Sequence, residues 1–368
     1  MKVNEIVRVI NSFADESWAF DRDNSGLQVG ENDMEVNRIL FAVDPTEYAV
    51  DEAITKKCQM IITHHPLLFL PIKNITSKDA RSNIIKKLLI NGIALYASHT
   101  CFDVSPKGIN AYIADCYHLL QRKYLGDWAE NFYSLEAYVP SESCENFLKH
   151  LYDVGVGSVG LYQDCAYLLD GQGRFTPSKG SNPTIGSIEI PTRTQETKVE
   201  AIFPRKRKNA VISQIMKYHP YETPVFHISE FINVSAGIGI GVIGNLSEDV
   251  SIEEFLAMTK KIFQTETFRI SNNYHGRSIR RVAFSSGSSA EYIPAANRMG
   301  ADVMITSECK SYDFESAINC NMVLISLTHF ISEHCFADAM TQALRQTDQL
   351  SKNIEFIFSA QSDAEVIV

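Results

Sequence analysis

The sequence has no Cys-x-x-Cys pair, although eight cysteines are scattered along its 368 residues. This spacing does not predict a disulfide framework and is typical of buried or idle thiols in a reducing compartment. The chain also lacks an apolar run long enough to span a bilayer, and its first residues lack the apolar segment of a signal peptide. We therefore expect a cytoplasmic protein without a membrane partner.

Positive charge is scarce as well, since 34 Lys and Arg residues stand against 44 Asp and Glu residues, for a formal net charge of -10. Phosphate backbones are bound by basic surfaces, so nucleic acid is not the expected partner of this chain. A local exception is the run Arg205-Lys206-Arg207-Lys208, whose simpler interpretation is a solvated loop or the start of a helix.

Length and composition predict a globular protein with more than one domain. A chain of 368 residues is typical of two or three domains. The apolar fraction of 45% and the charged fraction of 21% are normal values and supply enough apolar side chains for a substantial core.

The two flanking parts of the chain, residues 1–127 and 237–368, alternate between strand-like and helix-like segments. This alternation predicts one α/β domain with a largely parallel sheet that helices cover on both faces. The predicted strands are the apolar runs at 38–43, 60–63, 93–98, 280–284, 301–305, 322–327 and 354–358.

The middle of the chain, residues 128–236, has a different pattern. Its order of strand, helix, glycine-rich hairpin region, strand, helix and strand predicts a ferredoxin-like α+β domain inserted into the α/β domain. The segments behind this prediction are strands at 135–139, 185–190 and 198–203 and helices at 143–154 and 208–218.

Histidine and carboxylate side chains recur where predicted strands end. His64 and His65 follow one strand, Asp103 comes shortly after the next, and His329 follows a strand near the C-terminus. Open α/β sheets bind ligands at the carboxyl ends of their strands, so we expect these side chains at one cleft. Glu333 lies four residues after His329, a helical spacing that lets both face that cleft.

Three imidazoles and two carboxylates suit zinc, Fe(II) or manganese better than calcium or magnesium. Five ligands exceed the three of an ordinary mononuclear catalytic zinc, and two ions about 3.5–4 Å apart would use them all. A single histidine at a strand end is usually a cap or a satisfied buried residue, so the adjacent pair His64 and His65 is the stronger signal. We expect the other isolated histidines at the surface: His118, His150, His275 and His334.

For each of two glycine-containing loops, the sequence allows both a ligand-binding role and a purely structural one. Gly287, within a run of serines, could offer backbone amides to a phosphate at a helix start. A plain tight turn is the simpler interpretation, because the loop has no Walker or dinucleotide motif. Residues 24–30 could line the cleft or form an ordinary β-turn.

These motifs resemble the Nif-three-like family, whose members are catalogued as GTP cyclohydrolase 1 type 2 homologues, and the similarity runs essentially from end to end. The combination of a His-His-Pro element with a terminal His-x-x-x-Glu is quite specific. The matching stretches are Asp23-Asn24-Ser25-Gly26-Leu27-Gln28-Val29-Gly30, Ile62-Thr63-His64-His65-Pro66-Leu67-Leu68-Phe69, Ser98-His99-Thr100-Cys101-Phe102-Asp103 and residues 329–333.

The resemblance implies an α/β core with mixed sheets, assembled as a toroidal homohexamer (a trimer of dimers) with metal sites facing an interior cavity. The middle segment resembles the insertion of longer family members, which is similar to PII/CutA-type trimeric domains; the matching stretches are 155–162, 171–177 and 219–222. The implied ligands of two divalent ions, zinc first and iron or manganese as alternatives, are His64, His65, Asp103, His329 and Glu333.

Three positions depart from the family pattern. Cys101 stands where the family usually has Asn, and Ser307 and Tyr312 stand where it usually has Gly and His. None of them is an implied ligand, so we expect metal binding to persist. The cleft around Glu308 and Tyr312 is where the chemistry is expected to differ from that of the family.

The leading hypothesis is a metal-dependent hydrolase of a nucleotide, with opening of the GTP ring as the reaction that the resemblance implies. Water activated by the ions would attack C8 of the purine, and His99 or Glu308 would relay protons. Two alternatives stay open. The same ions could cleave a phosphoester, or the protein could be a non-enzymatic metal-binding or regulatory ring whose inserted domain senses a small ligand.

Overall fold

The computed structural model of the chain describes residues 1–20, 22–76, 79–127, 131–159, 162–232, 238–347 and 354–365. The chain forms two compact units. The large unit consists of Met1–Trp128 and Gly237–Val368, and Ala129–Ala236 form an inserted unit between these two parts.

The first part of the large unit alternates strands and helices. Polar side chains cap the N-termini of two of its helices, since Thr46 and Asp79 each accept a hydrogen bond from a backbone amide in the first turn. The elements are α1 (Val3–Asn11), β1 (Gly26–Val29), β2 (Arg38–Ala42), α2 (Glu47–Thr55), β3 (Met60–Thr63), α3 (Ala80–Ile90), β4 (Ala94–Ala97), α4 (Thr100–Asp103), α5 (Ile109–Cys116), β5 (Leu120–Lys123) and β6 (Gly126–Asp127).

The inserted unit contains one antiparallel sheet with the strand order β10-β7-β9-β8 and two helices. The succession βαββαβ with this order is the ferredoxin-like arrangement. Likeness to PII/CutA domains stays a prediction. The elements are β7 (Asn131–Pro140), α6 (Cys144–Tyr152), β8 (Tyr167–Phe175), β9 (Thr192–Pro204), α7 (Lys208–Tyr218) and β10 (Phe226–Ile232).

The strand predicted at 185–190 is wrong, because these residues have no regular structure. The strand that pairs with β9 lies earlier in the chain, at Tyr167–Phe175. None of its residues is buried, so β8 lacks the apolar alternation by which a half-buried strand is recognised. The segment 185–190 resembled a strand because it contains the β-branched residues Ile188 and Ile190, but both side chains are exposed.

The last part of the large unit resumes the alternation. Two of its helices, α11 and α12, are separated by a break at His334 and Cys335. The elements are β11 (Gly239–Ile240), β12 (Val242–Ser251), α8 (Ile252–Ile262), β13 (Arg269–Ile270), β14 (Ser278–Phe284), α9 (Ile293–Arg298), β15 (Val303–Ser307), α10 (Ser311–Asn319), β16 (Val323–Leu327), α11 (His329–Glu333), α12 (Phe336–Arg345) and β17 (Glu355–Phe358).

Two mixed sheets organise the large unit, instead of the one largely parallel sheet that the alternation predicts, because antiparallel strands pair at their edges. The α/β class with mixed sheets is confirmed. The first sheet has the order β1-β4-β3-β2-β17, in which β1 alone is antiparallel to its neighbour. The second has the order β13-β16-β15-β14-β12-β5, with a parallel centre of β16, β15 and β14. A short ribbon of β6 and β11 pairs the points where the chain enters and leaves the insertion.

Side chains of both sheets share one buried apolar cluster. Phe41 and Ile62 of the first sheet belong to it together with Phe284 and Ile325 of the second. Each fully buried side chain of this size stabilises the fold by about 1.5–3 kcal/mol. Strands β3 and β16 are buried along their whole length, so the residues that follow them are held on a rigid scaffold. Among the described residues, no helix has the length and apolar character needed to cross a membrane.

Candidate metal centre

The structure brings all five predicted ligands together at strand ends of the large unit. His64 and His65 follow β3, and Asp103 is the last residue of α4, which comes directly after β4. His329 and Glu333 are the first and last residues of α11, which follows β16. The cluster therefore joins the carboxyl ends of strands from both sheets.

Glu333 is the buried centre of this cluster. Its Oε1 lies 3.6 Å from Nε2 of His64 and 3.2 Å from Nε2 of His329. Its Oε2 lies 3.0 Å from Nε2 of His65. On the other side of His64, the same Nε2 lies 3.7 Å from Oδ2 of Asp103. One carboxylate thus faces three imidazoles, and a second carboxylate faces one of them.

His64 provides the test of whether these residues fit a metal ion. Its ring is fully buried, and Nδ1 donates to the backbone carbonyl of Ser98 at 3.0 Å. Its Nε2 is also buried and forms no hydrogen bond within the described part of the chain. An unpaired buried polar atom costs about 1–3 kcal/mol. A ring held through Nδ1 with a free Nε2 is the usual arrangement of a metal-binding histidine, so the residues fit an ion.

Carboxylates orient the other imidazoles of the cluster in the same way. Each of these rings is held through Nδ1, which leaves Nε2 for a ligand. The pairs are His65 with Asp44 at 2.7 Å, His99 with Asp23 at 2.8 Å and His329 with Glu308 at 3.3 Å.

His99, predicted as a proton relay, lies within the cluster itself. Two groups in the described residues could hold a metal ion, with all potential ligand atoms of a group within 4.8 Å of one another. One consists of His64, His65 and His99, and the other of His65, His329 and Glu333. His99 is therefore close enough to act on anything bound there.

The cluster favours positive charge. Burial lowers the pKa of His65, but its hydrogen bonds with Asp44 and Glu333 outweigh this and raise the pKa to about 10. The hydrogen bond with Glu333 likewise raises the pKa of His329 to about 9. Burial raises the pKa of Glu333, yet the three facing imidazoles hold it well below its ordinary value. Without a metal ion, protons supply the positive charge.

Metal loading at about pH 7.5 is expected to release about two protons or more, because imidazole must be neutral to bind a metal. His65 and His329, with pKa values of about 10 and 9, both carry a proton at that pH. The apparent affinity should therefore rise with pH until the pH passes these values. Calorimetric titration with zinc in buffers of different ionisation enthalpy measures the release, and equal heats in all buffers would contradict it.

The loop at Gly287 supports the cluster as a tight turn. Gly287 has φ +61°, and a Cβ atom there would lie 2.8 Å from Oε1 of Glu333. Its amide donates to Oγ of Ser332 at 3.1 Å and so is not free for a phosphate. In the same loop, Oγ of Ser286 donates to Oδ1 of Asp103 at 2.7 Å. The loop thus positions both carboxylates of the cluster.

Glu308 follows β15 and adopts the left-handed backbone conformation, with φ +56°. This conformation costs a residue with a side chain about 1–2 kcal/mol. It places the half-exposed carboxylate of Glu308 against Nδ1 of His329. Glu308 therefore orients a predicted ligand.

The positions that depart from the family pattern leave the cluster intact. Cys101 is fully buried, and burial raises the pKa of its thiol to about 12, so the thiol is neutral near pH 7. Ser307 is buried at the end of β15, and Tyr312 is exposed on α10.

Three features of the site were not predicted from the sequence. They are the carboxylates of Asp23 and Asp44, which hold imidazole rings, and one wall of a cleft that lies beside the cluster. The cleft has a volume of about 890 Å³ and is lined by His65, His329 and residues 360–365. Gln361 fixes this wall, since its side chain accepts hydrogen bonds from the amides of residues 43 and 44. Asp44 follows β2 as His64 follows β3, so the strand-end rule could have found it, whereas Asp23 precedes a strand.

Fold and site together define a two-unit α/β protein with clustered imidazoles and carboxylates that could hold metal ions. The model of the Duf34/NIF3 family (NGG1p interacting factor 3) matches residues 1–364, and the chain belongs to this family. The resemblance found in the sequence motifs is thereby confirmed.

Relatives of similar length support this assignment. A Staphylococcus epidermidis protein named GTP cyclohydrolase 1 type 2 homolog is 31% identical over 346 residues, which are 94% of this chain and 93% of that protein. A Staphylococcus aureus protein of the same name is 32% identical over 360 residues, 96% of this chain and 97% of that protein. The crystal structure of a Bacillus cereus protein related to NIF3 matches with a TM-score of 0.70 and 29% identity, covering 100% of this chain and 99% of that one.

Proposed function

We propose that the protein binds two divalent metal ions and hydrolyses a nucleotide, with opening of the guanine ring of GTP as the reaction to test first. The observation that carries this proposal is the position of Glu333 between two sets of ligands. Its Oε1 faces His64 and His329, and its Oε2 faces His65. This one buried carboxylate among three imidazoles could serve two ions, and paired ions are typical of hydrolytic sites such as those of phosphatases and nucleases.

We assign the five ligands to two sets that share Glu333. His64, Asp103 and Glu333 would hold one ion, because the Nε2 of His64 lies 3.7 Å and 3.6 Å from the two carboxylates. His65, His329 and Glu333 would hold the other, with Nε2 to oxygen distances of 3.0 Å and 3.2 Å. Such ions lower the pKa of water and polarise the atom that the water attacks.

His99 is the proposed proton relay. Asp23 accepts hydrogen bonds from Nδ1 of His99 and from the amide and hydroxyl of Thr100. Burial raises the pKa of Asp23, but these bonds and the charge of His99 more than offset it and hold the pKa below its ordinary value. An ionised Asp23 fixes the ring so that Nε2 can take up or give a proton.

The cleft beside the cluster supports a dependence on metal. Among the residues that line it in the described part of the chain, none is Lys or Arg, whereas Asp44, Asp363 and Glu365 are acidic. A nucleotide phosphate therefore meets no Lys or Arg side chain among the described residues that line this cleft. Metal ions at the cluster would supply the positive charge that a phosphate needs.

The test is proton NMR of GTP incubated with zinc-, manganese- or iron-loaded protein and with a chelated control. We expect the H8 signal of the purine to disappear and formate to appear only in a metal-loaded sample. A His99→Gln variant should keep its metal and lose about 10²–10⁴-fold in rate, the usual contribution of a proton-transfer residue.

Two other results would reject ring opening. Phosphate release with an intact H8 signal, read by phosphorus NMR on the same sample, would make the protein a metal-dependent phosphoesterase. No change in either spectrum would favour the non-enzymatic ring that binds metal and a small ligand.

A further inference from the structure

A second cavity lies entirely within the inserted unit. Its volume is about 400 Å³, within the usual size range of small-molecule sites. It is lined by residues of β7, β8 and β9 and by the loops that follow β8 and α7. The proposed hydrolysis uses none of these residues.

Most of the cavity wall is apolar and aromatic. Phe175 and Tyr221 meet edge to face, with ring centroids 6.0 Å apart, and Tyr138 lines the wall as well. Pro177 and Ile185 add apolar surface. Walls of this kind suit a flat ring, because aromatic side chains stack on or abut planar ligands.

A half-buried carboxylate, that of Glu196, is the polar feature of the cavity. Its Oε1 accepts a hydrogen bond from the hydroxyl of Tyr221 at 2.6 Å. Within the described residues, its Oε2 accepts none. Glu222 also lines the cavity, and Arg174 is the one cation among the described lining residues. The cavity therefore offers acceptors for N–H groups rather than a site for an anion.

Gly173 lets this carboxylate lie flat against β8. A Cβ atom at position 173 would be 2.4 Å from each oxygen of Glu196 and 2.3 Å from its Cδ. The backbone of Gly173 is not in the left-handed region, so alanine can adopt it. An added methyl group would thus displace the end of one flexible side chain and leave the strand in place.

We propose that this cavity binds a planar nitrogen heterocycle whose edge carries adjacent N–H donors, as the edge of guanine does. Two neighbouring N–H groups match the two oxygens of one carboxylate, and Glu196 has such acceptor capacity between aromatic walls. The site lies in a different unit from the histidine cluster and needs no metal. It would give the inserted unit a ligand of its own.

The experiment is equilibrium dialysis of the whole, chelator-treated protein with guanosine, inosine and adenosine. Guanosine is expected to bind at least about tenfold more tightly than inosine, which lacks only the 2-amino group, because one lost hydrogen bond to a charged acceptor has that effect. Adenosine presents a different edge and should bind no better than inosine. Adding zinc should leave guanosine binding unchanged.

Two variants test whether guanosine binds in this cavity. Glu196→Gln removes the charged acceptor, Gly173→Ala displaces it, and both should weaken guanosine binding about tenfold or more. Glu200→Gln is the matched control on the same strand, since Glu200 pairs with Lys198 and does not line the cavity. Unchanged far-UV circular dichroism and melting temperature would show that the Gly173→Ala protein is folded.

Three results would overturn the proposal. They are no guanosine binding at about 1 mM, equal binding of inosine, and binding that Glu196→Gln leaves unchanged. Binding that appears only with zinc would place the ligand at the histidine cluster instead. Because dialysis is done without metal and measures no turnover, its failure is distinct from a failure of the proposed hydrolysis.

Discussion

Replacing Glu333 with glutamine is expected to abolish the binding of both metal ions and, with them, all metal-dependent turnover. The carboxylate is buried and lies within 3.0–3.6 Å of three imidazole nitrogens, so both proposed ions share it. A neutral amide keeps the size of the side chain but removes the negative charge that both ions need. Even outer-shell changes cost 10–100-fold in metal affinity, so we expect a loss of at least about 100-fold here.

The measurement is metal content by mass spectrometry after loading and dialysis, with zinc as the probe. Glu266→Gln makes the same chemical change at an exposed side chain and should bind metal as the unchanged protein does. If Glu333→Gln retains two ions per chain, Glu333 is not the shared ligand and the proposed layout is wrong.

Replacing Asp103 with alanine is expected to remove one ion and leave the other. Among the described imidazoles, the one paired with Asp103 is that of His64, at 3.7 Å, whereas the second set of ligands consists of His65, His329 and Glu333. The metal content should therefore fall from two ions per chain to one. Turnover should be lost, because the proposed chemistry uses both ions.

The same metal analysis tests this result, now with Asp115→Ala as the control. Asp115 is a half-exposed partner of Arg122 and lies outside the cluster. A protein without any metal after Asp103→Ala would show that the ions bind as a unit. Two retained ions with intact turnover would exclude Asp103 from the centre.

The centre was predictable from sequence to the extent that its ligands follow buried strands. β3 and β16 are continuous apolar runs, so their ends, and with them His64 and His329, can be read from the sequence. Glu333 follows from helical spacing after His329. Asp44 obeys the same strand-end rule but was not recognised as a partner, because it contacts His65 rather than the proposed ions.

Other parts of the structure depend on contacts that no local pattern records. Asp23 reaches His99 from a loop 76 positions away in the sequence. Strand β8 is held by pairing with β9 rather than by burial, so its composition gave no signal. The break between α11 and α12 has no proline or glycine to mark it. These features are set by tertiary packing, which overrides local preference.

The ribbon of β6 and β11 has a consequence for how the protein can change over evolution. Gly126 faces Ile240 and Asp127 faces Gly239, so the two ends of the insertion leave the large unit side by side. Glycine leaves room in both strands of this ribbon, because a Cβ atom would lie 2.7 Å from a ring atom of Tyr292 at Gly126 and 2.4 Å from Cγ of Tyr124 at Gly239. Since neighbouring strands are about 5 Å apart, one tight turn could replace the whole insertion without shifting either sheet. A chain from which the inserted unit is deleted would therefore keep both strands of the ribbon and all five residues of the histidine cluster.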